Sequence, residues 1–197
     1  MDKTQRIFTL SGLAVVLILG YGLPSGAVSS ASSQHVTLLS HVVKAHKVAF
    51  KGTYKGSIAL LMVGASGQAA TSVTVSSVTG SGTGTLLGSS HVSATGSAPA
   101  SNQCDPVSGQ GSLSGAGSTL RFKVISSSSS QGCASGTSTP TSVSVKALVK
   151  VTGGSGKYAG VSGTLKFTGS FNVSSNTAGS SENDAFRAAV SGTLTVK

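Results

Sequence analysis

The sequence predicts an all-β chain: a single antiparallel β-barrel of about eight strands, with a two-sheet β-sandwich as the alternative. Three observations carry this expectation. Apolar residues recur at period two, first at Val143, Val145, Ala147, Val149 and Val151, then at Leu165, Phe167, Phe171 and Val173, then at Phe186, Ala188, Val190, Leu194 and Val196. Such alternation gives an extended chain one apolar face and one wet face. Charged residues make up only 9% of the chain, and the wet positions are mostly Ser and Thr, where a helical bundle would carry Lys and Glu. Glycine-rich turns separate the segments, and closure into a barrel removes the edges that so many strands would otherwise expose.

At the start of the chain, Lys3 and Arg6 precede an apolar run over residues 7–23, and the small residues Ser25, Gly26 and Ala27 follow. This is the three-part plan of a secretory signal peptide and predicts a signal helix over residues 1–27, removed after Ala27. The same run is long enough for an uncleaved membrane anchor over residues 7–28. The expected organisation is a leader at 1–27, a linker at 28–47 and a barrel domain at 48–197, in a secreted or cell-surface protein. His35, His41 and His46 stand six and five residues apart. Neither spacing puts them on one face of a helix or strand, so they predict no metal site.

The first strands fall within residues 49–63. The continuous apolar run at 58–63 predicts burial on both faces there. Lys44, Lys47, Lys51 and Lys55 interleave with Phe50 and Tyr54, a pattern found on nucleic-acid surfaces. The remaining basic residues are scattered singly, which disfavours nucleic acid as a partner. Residues 72–79 and 83–94 read as a strand pair joined at Gly80, Ser81 and Gly82, with a lone His91 on the second. Residues 98–111 read as a loop, 110–126 as two further strands, and 126–136 as a serine-rich loop. Cys104 and Cys133 are the two cysteines, one in each of these loops. In an exported chain they most simply form a disulfide. Residues 141–151 are a strand, 176–184 a loop, and the last strand runs to the end.

Residues 152–173 are the most informative stretch. Gly153, Gly154 and Gly156 lie within four positions, a density suited to positive φ and close backbone approach. Tyr158 follows as an aromatic plug, then a long alternating strand. Gly169 falls on that strand's apolar side, where a glycine often marks a bend or bulge. The run VTGGSGKYAGVSGTLKFTG resembles the GGTGxFxGAxG signature of the allene-oxide-cyclase and dirigent-like barrel superfamily, through Gly153, Gly154, Ser155, Gly156, Tyr158, Ala159, Gly160 and Gly163. Ser155 stands where Thr is commoner and Tyr158 where Phe is commoner. The segment FKGTYKGS at 50–57 resembles the opening strand of such barrels. The resemblance implies a barrel whose interior can receive a small apolar ligand. No pocket residue of the plant enzymes has a counterpart that can be matched.

Catalytic motifs fail one by one. GGSGK lacks the upstream glycine and following hydroxyl of a phosphate loop, since Val151 and Tyr158 occupy those places. Gly154, Gly156 and Ala159 fit GxGxxA, but no helix follows. Glu182 and Asp184 are loop neighbours, whereas a glycosidase pair faces across a cleft. No GxSxG occurs. The expectation is a non-catalytic binding or structural barrel without cofactor or metal, and an interior small-ligand barrel, cyclase-like or dirigent-like, is the alternative. The net charge of +10 suits an anionic wall polymer or a membrane surface as partner.

Overall fold

In the computed structural model, residues 44–197 are described. They form ten strands: β1 (His46–Val63), β2 (Ser72–Gly84), β3 (Gly88–Pro99), β4 (Cys104–Pro106), β5 (Ser108–Gly115), β6 (Ser118–Val124), β7 (Gln131–Ala134), β8 (Thr141–Ser155), β9 (Ser162–Val173) and β10 (Ser181–Val196). Eight of these close an antiparallel barrel in the order β1, β2, β3, β5, β6, β8, β9, β10 and back to β1. The short β4 and β7 pair with each other, and β7 also pairs with the start of β8. They thus extend the β5–β6 hairpin beyond the ring. The expected leader, its cleavage site, the possible anchor and His35 and His41 lie outside the described residues.

Alternation builds the wall. On β1, Phe50, Tyr54, Ile58, Leu60 and Met62 are buried, while Leu61 and Val63 are 41% and 39% exposed. The apolar run at 58–63 is therefore not buried on both faces: it is a barrel wall with an apolar outer rim. The same alternation separates the interleaved lysines from their aromatics. Lys51 and Lys55 are exposed, whereas Phe50 and Tyr54 are core, so no aromatic is left for base stacking there.

Several sequence boundaries move. Gly80, Ser81 and Gly82 are not a turn: β2 runs through them to Gly84, and the reversal falls at residues 85–87. These glycines face inward because nothing larger fits. A Cβ on Gly82 would lie 1.9 Å from the Thr53 carbonyl oxygen and 2.8 Å from Cδ1 of Tyr54. Residues 98–111 are not one loop, since they contain β4 and the first half of β5, and Cys133 lies on β7 rather than in a loop. The start of the last strand, Ser181, takes Glu182 and Asp184 out of the expected loop. Gly169 marks no bulge, for β9 keeps register with both neighbours. The irregularities fall instead at Ser76–Ser77 of β2, opposite Thr95, and at Thr152 of β8. The β2 bulge resets the side-chain alternation, so Val73 and Val75 before it and Val78 after it all point inward.

One end of the barrel is filled. Phe50, Leu87, Leu113, Leu120, Leu165 and Leu194 are fully or almost fully buried there, each contributing roughly 1.5–3 kcal/mol by leaving water. The signature stretch closes this end. β8 passes through Gly153 and Gly154 to Ser155, a 3-10 turn covers Gly156–Tyr158, and β9 leaves at Ser162. Gly156 and Gly160 have φ of +61° and +72°. A Cβ on Gly156 would sit 2.6 Å from Oγ of Ser118. The Tyr158 hydroxyl donates to the Leu86 carbonyl and ties the β8–β9 connection to the β2–β3 turn.

Candidate functional site

The other end is hollow. A cavity of about 580 Å³ occupies it, reached from the end where β1, β3, β7 and β9 finish and β2, β8 and β10 begin. Its cause is a taper in side-chain size. Where the closed end is filled by Leu87, Leu113, Leu120, Leu165, Leu194 and Phe50, the open end sets the small residues Val75, Val78, Ala94, Ala147, Gly169 and Ala188 among its larger ones. An eight-stranded barrel is just wide enough to be filled by large side chains or, with smaller ones, to hold one small ligand. Phe122, Phe167, Phe171 and Phe186 provide the aromatic lining. Phe122 and Phe167 stack with ring centres 4.9 Å apart and planes tilted by 39°.

Tyr54 also lines the cavity, but its hydroxyl is bonded to Oγ of buried Ser90 at 3.1 Å. Burial pushes this phenol up, and the Ser90 bond offsets part of that shift. It is therefore a neutral group already partnered.

Asp105 is the lining carboxylate, and it is buried. It accepts from the Ser101 and Asn102 amides at 3.0 and 2.9 Å and from Ser101 Oγ and Asn102 Nδ2, both at 3.0 Å. Burial alone would raise its pKa, but these donors from Asn102 and Ser101 together outweigh it and hold the carboxyl below its ordinary value. A carboxylate so saturated orders the loop at 100–103 and has little capacity left to move a proton.

Glu182 and Asp184 share one face of β10. Glu182 accepts the amides of Ser174 and Ser175 and ties the β9–β10 loop to the rim. Asp184 stands opposite Ile58 of β1, and its Oδ2 is buried without a hydrogen-bond partner. Burial raises its pKa, and the hydrogen bond and charge of Glu182 raise it further. The two carboxylates are neighbours on one strand and do not face across the cavity.

The remaining sequence candidates are distributed elsewhere. Cys104 and Cys133 are directly opposed on β4 and β7 and form a disulfide, beside the lining residues Asp105 and Gly132. Gly153, Gly154, Gly156, Tyr158, Gly160 and Gly163 lie at the closed end, away from the cavity. His46 opens β1, and His91 is exposed on β3. Among the described residues no group of three His, Cys, Asp or Glu side chains could hold a metal ion. Sequence reading expected an interior site only through the resemblance and named none of its lining residues. The cavity's sequence signal is the set of small inward residues on β3, β8, β9 and β10, Ala94, Ala147, Gly169 and Ala188, whose meeting is visible only once strand register is known.

No protein family, no curated protein and no solved structure matches the chain. The closed eight-strand antiparallel barrel is compatible with a barrel superfamily of the kind its signature resembles.

Proposed function

We propose that the protein is an exported, non-catalytic barrel that holds a small apolar molecule in its open half. The cavity carries this reading: about 580 Å³ falls within the roughly 300–1,000 Å³ of small-molecule sites, and its wall is mainly apolar, built largely from Val, Ala and Phe with Ile58 and Met62. Tyr54 and Asp105 are already engaged, Glu182 and Asp184 sit side by side, and Arg187, the one basic lining residue, is exposed on β10 opposite Lys55. No acid–base pair converges on a point where a substrate atom would react. A disulfide persists in an oxidising compartment, which supports export, as does the signal-peptide plan of residues 1–27. The resemblance to allene-oxide-cyclase-like and dirigent-like barrels agrees with an interior ligand.

The test uses an apolar naphthylamine dye whose fluorescence rises on leaving water. The full chain should bind the dye saturably, and Ala147→Phe, which fills the cavity, should weaken binding at least about tenfold while leaving the melting temperature within a few degrees. Equal dye binding by folded wild type and folded Ala147→Phe would place the dye elsewhere and remove the interior site.

A further inference from the structure

The outer wall is divided by charge. Every lysine and arginine carried by a strand falls on β1, β6, β8, β9 or β10, which are contiguous around the barrel. The other three barrel strands, β2, β3 and β5, present Ser, Thr and Gly, with Gln110 and His91, and no Lys or Arg. The acids do not balance the cationic half. Glu182 and Asp184 are at inward positions of β10, and Asp105 is buried on β4.

Within that half the register concentrates like charge. Lys123 is directly opposite Lys150 across β6 and β8, and Lys55 is directly opposite Arg187 across β1 and β10. Like charges facing each other across a strand pair are destabilising, and nothing in the described residues compensates for them. Between these lysines lies apolar surface. Ile125 follows β6, is 36% exposed, and donates its amide to the Leu148 carbonyl. Leu148 is opposite Lys166 on β9 and has Lys146 and Lys150 two residues to either side on its outward face. The result is an apolar pair ringed by Lys123, Lys146, Lys150 and Lys166. The other large exposed apolar residues, Leu61 and Val63, also belong to the cationic half, on β1.

We propose that this wall docks on an anionic lipid bilayer, with the four lysines meeting headgroups and Ile125 and Leu148 reaching the interfacial layer. Lysine stems lie along apolar surface while their ammonium groups reach phosphate. A soluble polyanion would satisfy the lysines equally but would leave Ile125 and Leu148 unused. The bilayer uses both, and the neutral Ser/Thr half is left facing water.

The experiment measures co-sedimentation of the full chain with phosphatidylglycerol–phosphatidylcholine vesicles and with phosphatidylcholine vesicles. The readout is the excess on the anionic vesicles, which separates the wall from any charge-independent partition of residues 7–23. Wild type should show an excess that disappears at about 1 M salt, where the Debye length is about 3 Å. Replacing Lys123, Lys146, Lys150 and Lys166 by Gln should reduce the excess about a hundredfold or more. Adding Ser81→Lys, Thr83→Lys, Ser93→Lys and Thr95→Lys to that variant restores net charge on the neutral wall and should not restore binding. The single change Ile125→Asn, at an exposed site, should weaken vesicle binding several-fold and leave heparin binding unchanged. Recovery by the relocated lysines would show that net charge alone acts and would overturn the proposal. So would the absence of any anionic excess in wild type, including the case in which a wall polysaccharide or nucleic acid binds instead.

Discussion

Replacing both Cys104 and Cys133 by Ser should cost most of what the cross-link removes from the unfolded chain. The two residues are 29 apart in sequence, and the loop-entropy relation gives roughly 3–4 kcal/mol for a ring of that size. The folded state gives little of this back. β4 has only three residues, pairs with β7 alone, and includes Pro106, which has no amide to donate. It makes no ladder with β3, so the β7 ladder and the bridge together tie it to the wall. At about 2–4 °C per kcal/mol for a chain of this size, the melting temperature should fall by roughly 6–16 °C. The assay is urea unfolding of the oxidised protein and the double Ser variant. The variant should also show a larger m-value, because its unfolded chain is less compact and exposes more surface. Since Asp105 and Val107 border the cavity, dye binding should weaken in the variant even under conditions where it is fully folded. A stability loss below about 1 kcal/mol with an unchanged m-value would refute the chain-entropy reasoning.

Two further substitutions test the packing and the rim. Gly82→Ala puts a Cβ 1.9 Å from the Thr53 oxygen, a clash that backbone must absorb, so it should cost about 1–3 kcal/mol or more; urea unfolding with no measurable change would contradict the close approach of β1 and β2. Asp184→Asn should raise stability near neutral pH by about 1 kcal/mol, because it relieves a buried, unpartnered carboxylate oxygen. The sign with pH follows from the raised native pKa: the folded state holds a proton that the unfolded chain has released. Stability therefore falls as pH rises from the unfolded value, about 3.9, through the raised native one, and the Asn variant should lose that slope. Asp105 acts in the opposite sense and in a lower window. Its depressed native pKa contributes stability that is present above the unfolded value and lost as pH falls below it. Melting curves of wild type and Asp184→Asn across the acid range decide the matter, and a lower neutral-pH melting temperature for the variant would count against an unpartnered carboxylate.

The barrel was legible because alternation over β8, β9 and β10 is a local property, needing only that apolar residues fall on one parity. The pairing of Cys104 with Cys133 was legible by elimination, there being no other cysteine. What local reading misjudged was the meaning of glycine. Gly80 and Gly82 have the composition of a turn, yet they continue β2, because the β1 backbone at Lys55 and Thr53, Tyr54 of β1 and, from beyond β1, Phe186 of β10 press against them. The double serine at 76–77 interrupts the spacing of Val73, Val75 and Val78, and that phase slip was the available sign of a bulge. An interior site was expected only from the resemblance, and the lining of the cavity and the cationic wall were not legible. Both depend on which strands are neighbours. Lys123 and Lys150 are 27 positions apart in the chain and become opposite one another only through the β6–β8 register.

The two ends of the barrel therefore do different work. The resembling stretch at Gly153–Gly163 serves the closed end: its glycines permit the approach of β8, the 3-10 turn and β5–β6, and Tyr158 locks that connection to Leu86. No residue from Gly153 to Gly163 lines the cavity, although Phe167–Gly169 at the end of the resembling run and Tyr54 of the 50–57 segment do. A likeness carried mainly by these closed-end glycines speaks for the barrel and is silent on the ligand. Ligand choice, in the proposed function, belongs to residues outside the signature, above all Ala94, Ala147, Phe171 and Ala188. Those positions are small or aromatic on the inward face of strands whose outward face is mostly Ser, Thr, Ala, Lys and Arg. They can change size without disturbing the backbone hydrogen bonds that close the barrel, since these run within the wall and not across its interior. Two chains sharing the closed-end signature can then differ entirely in what they bind, and exchange of the open-end residues alone should move the ligand preference while the fold stays as it is.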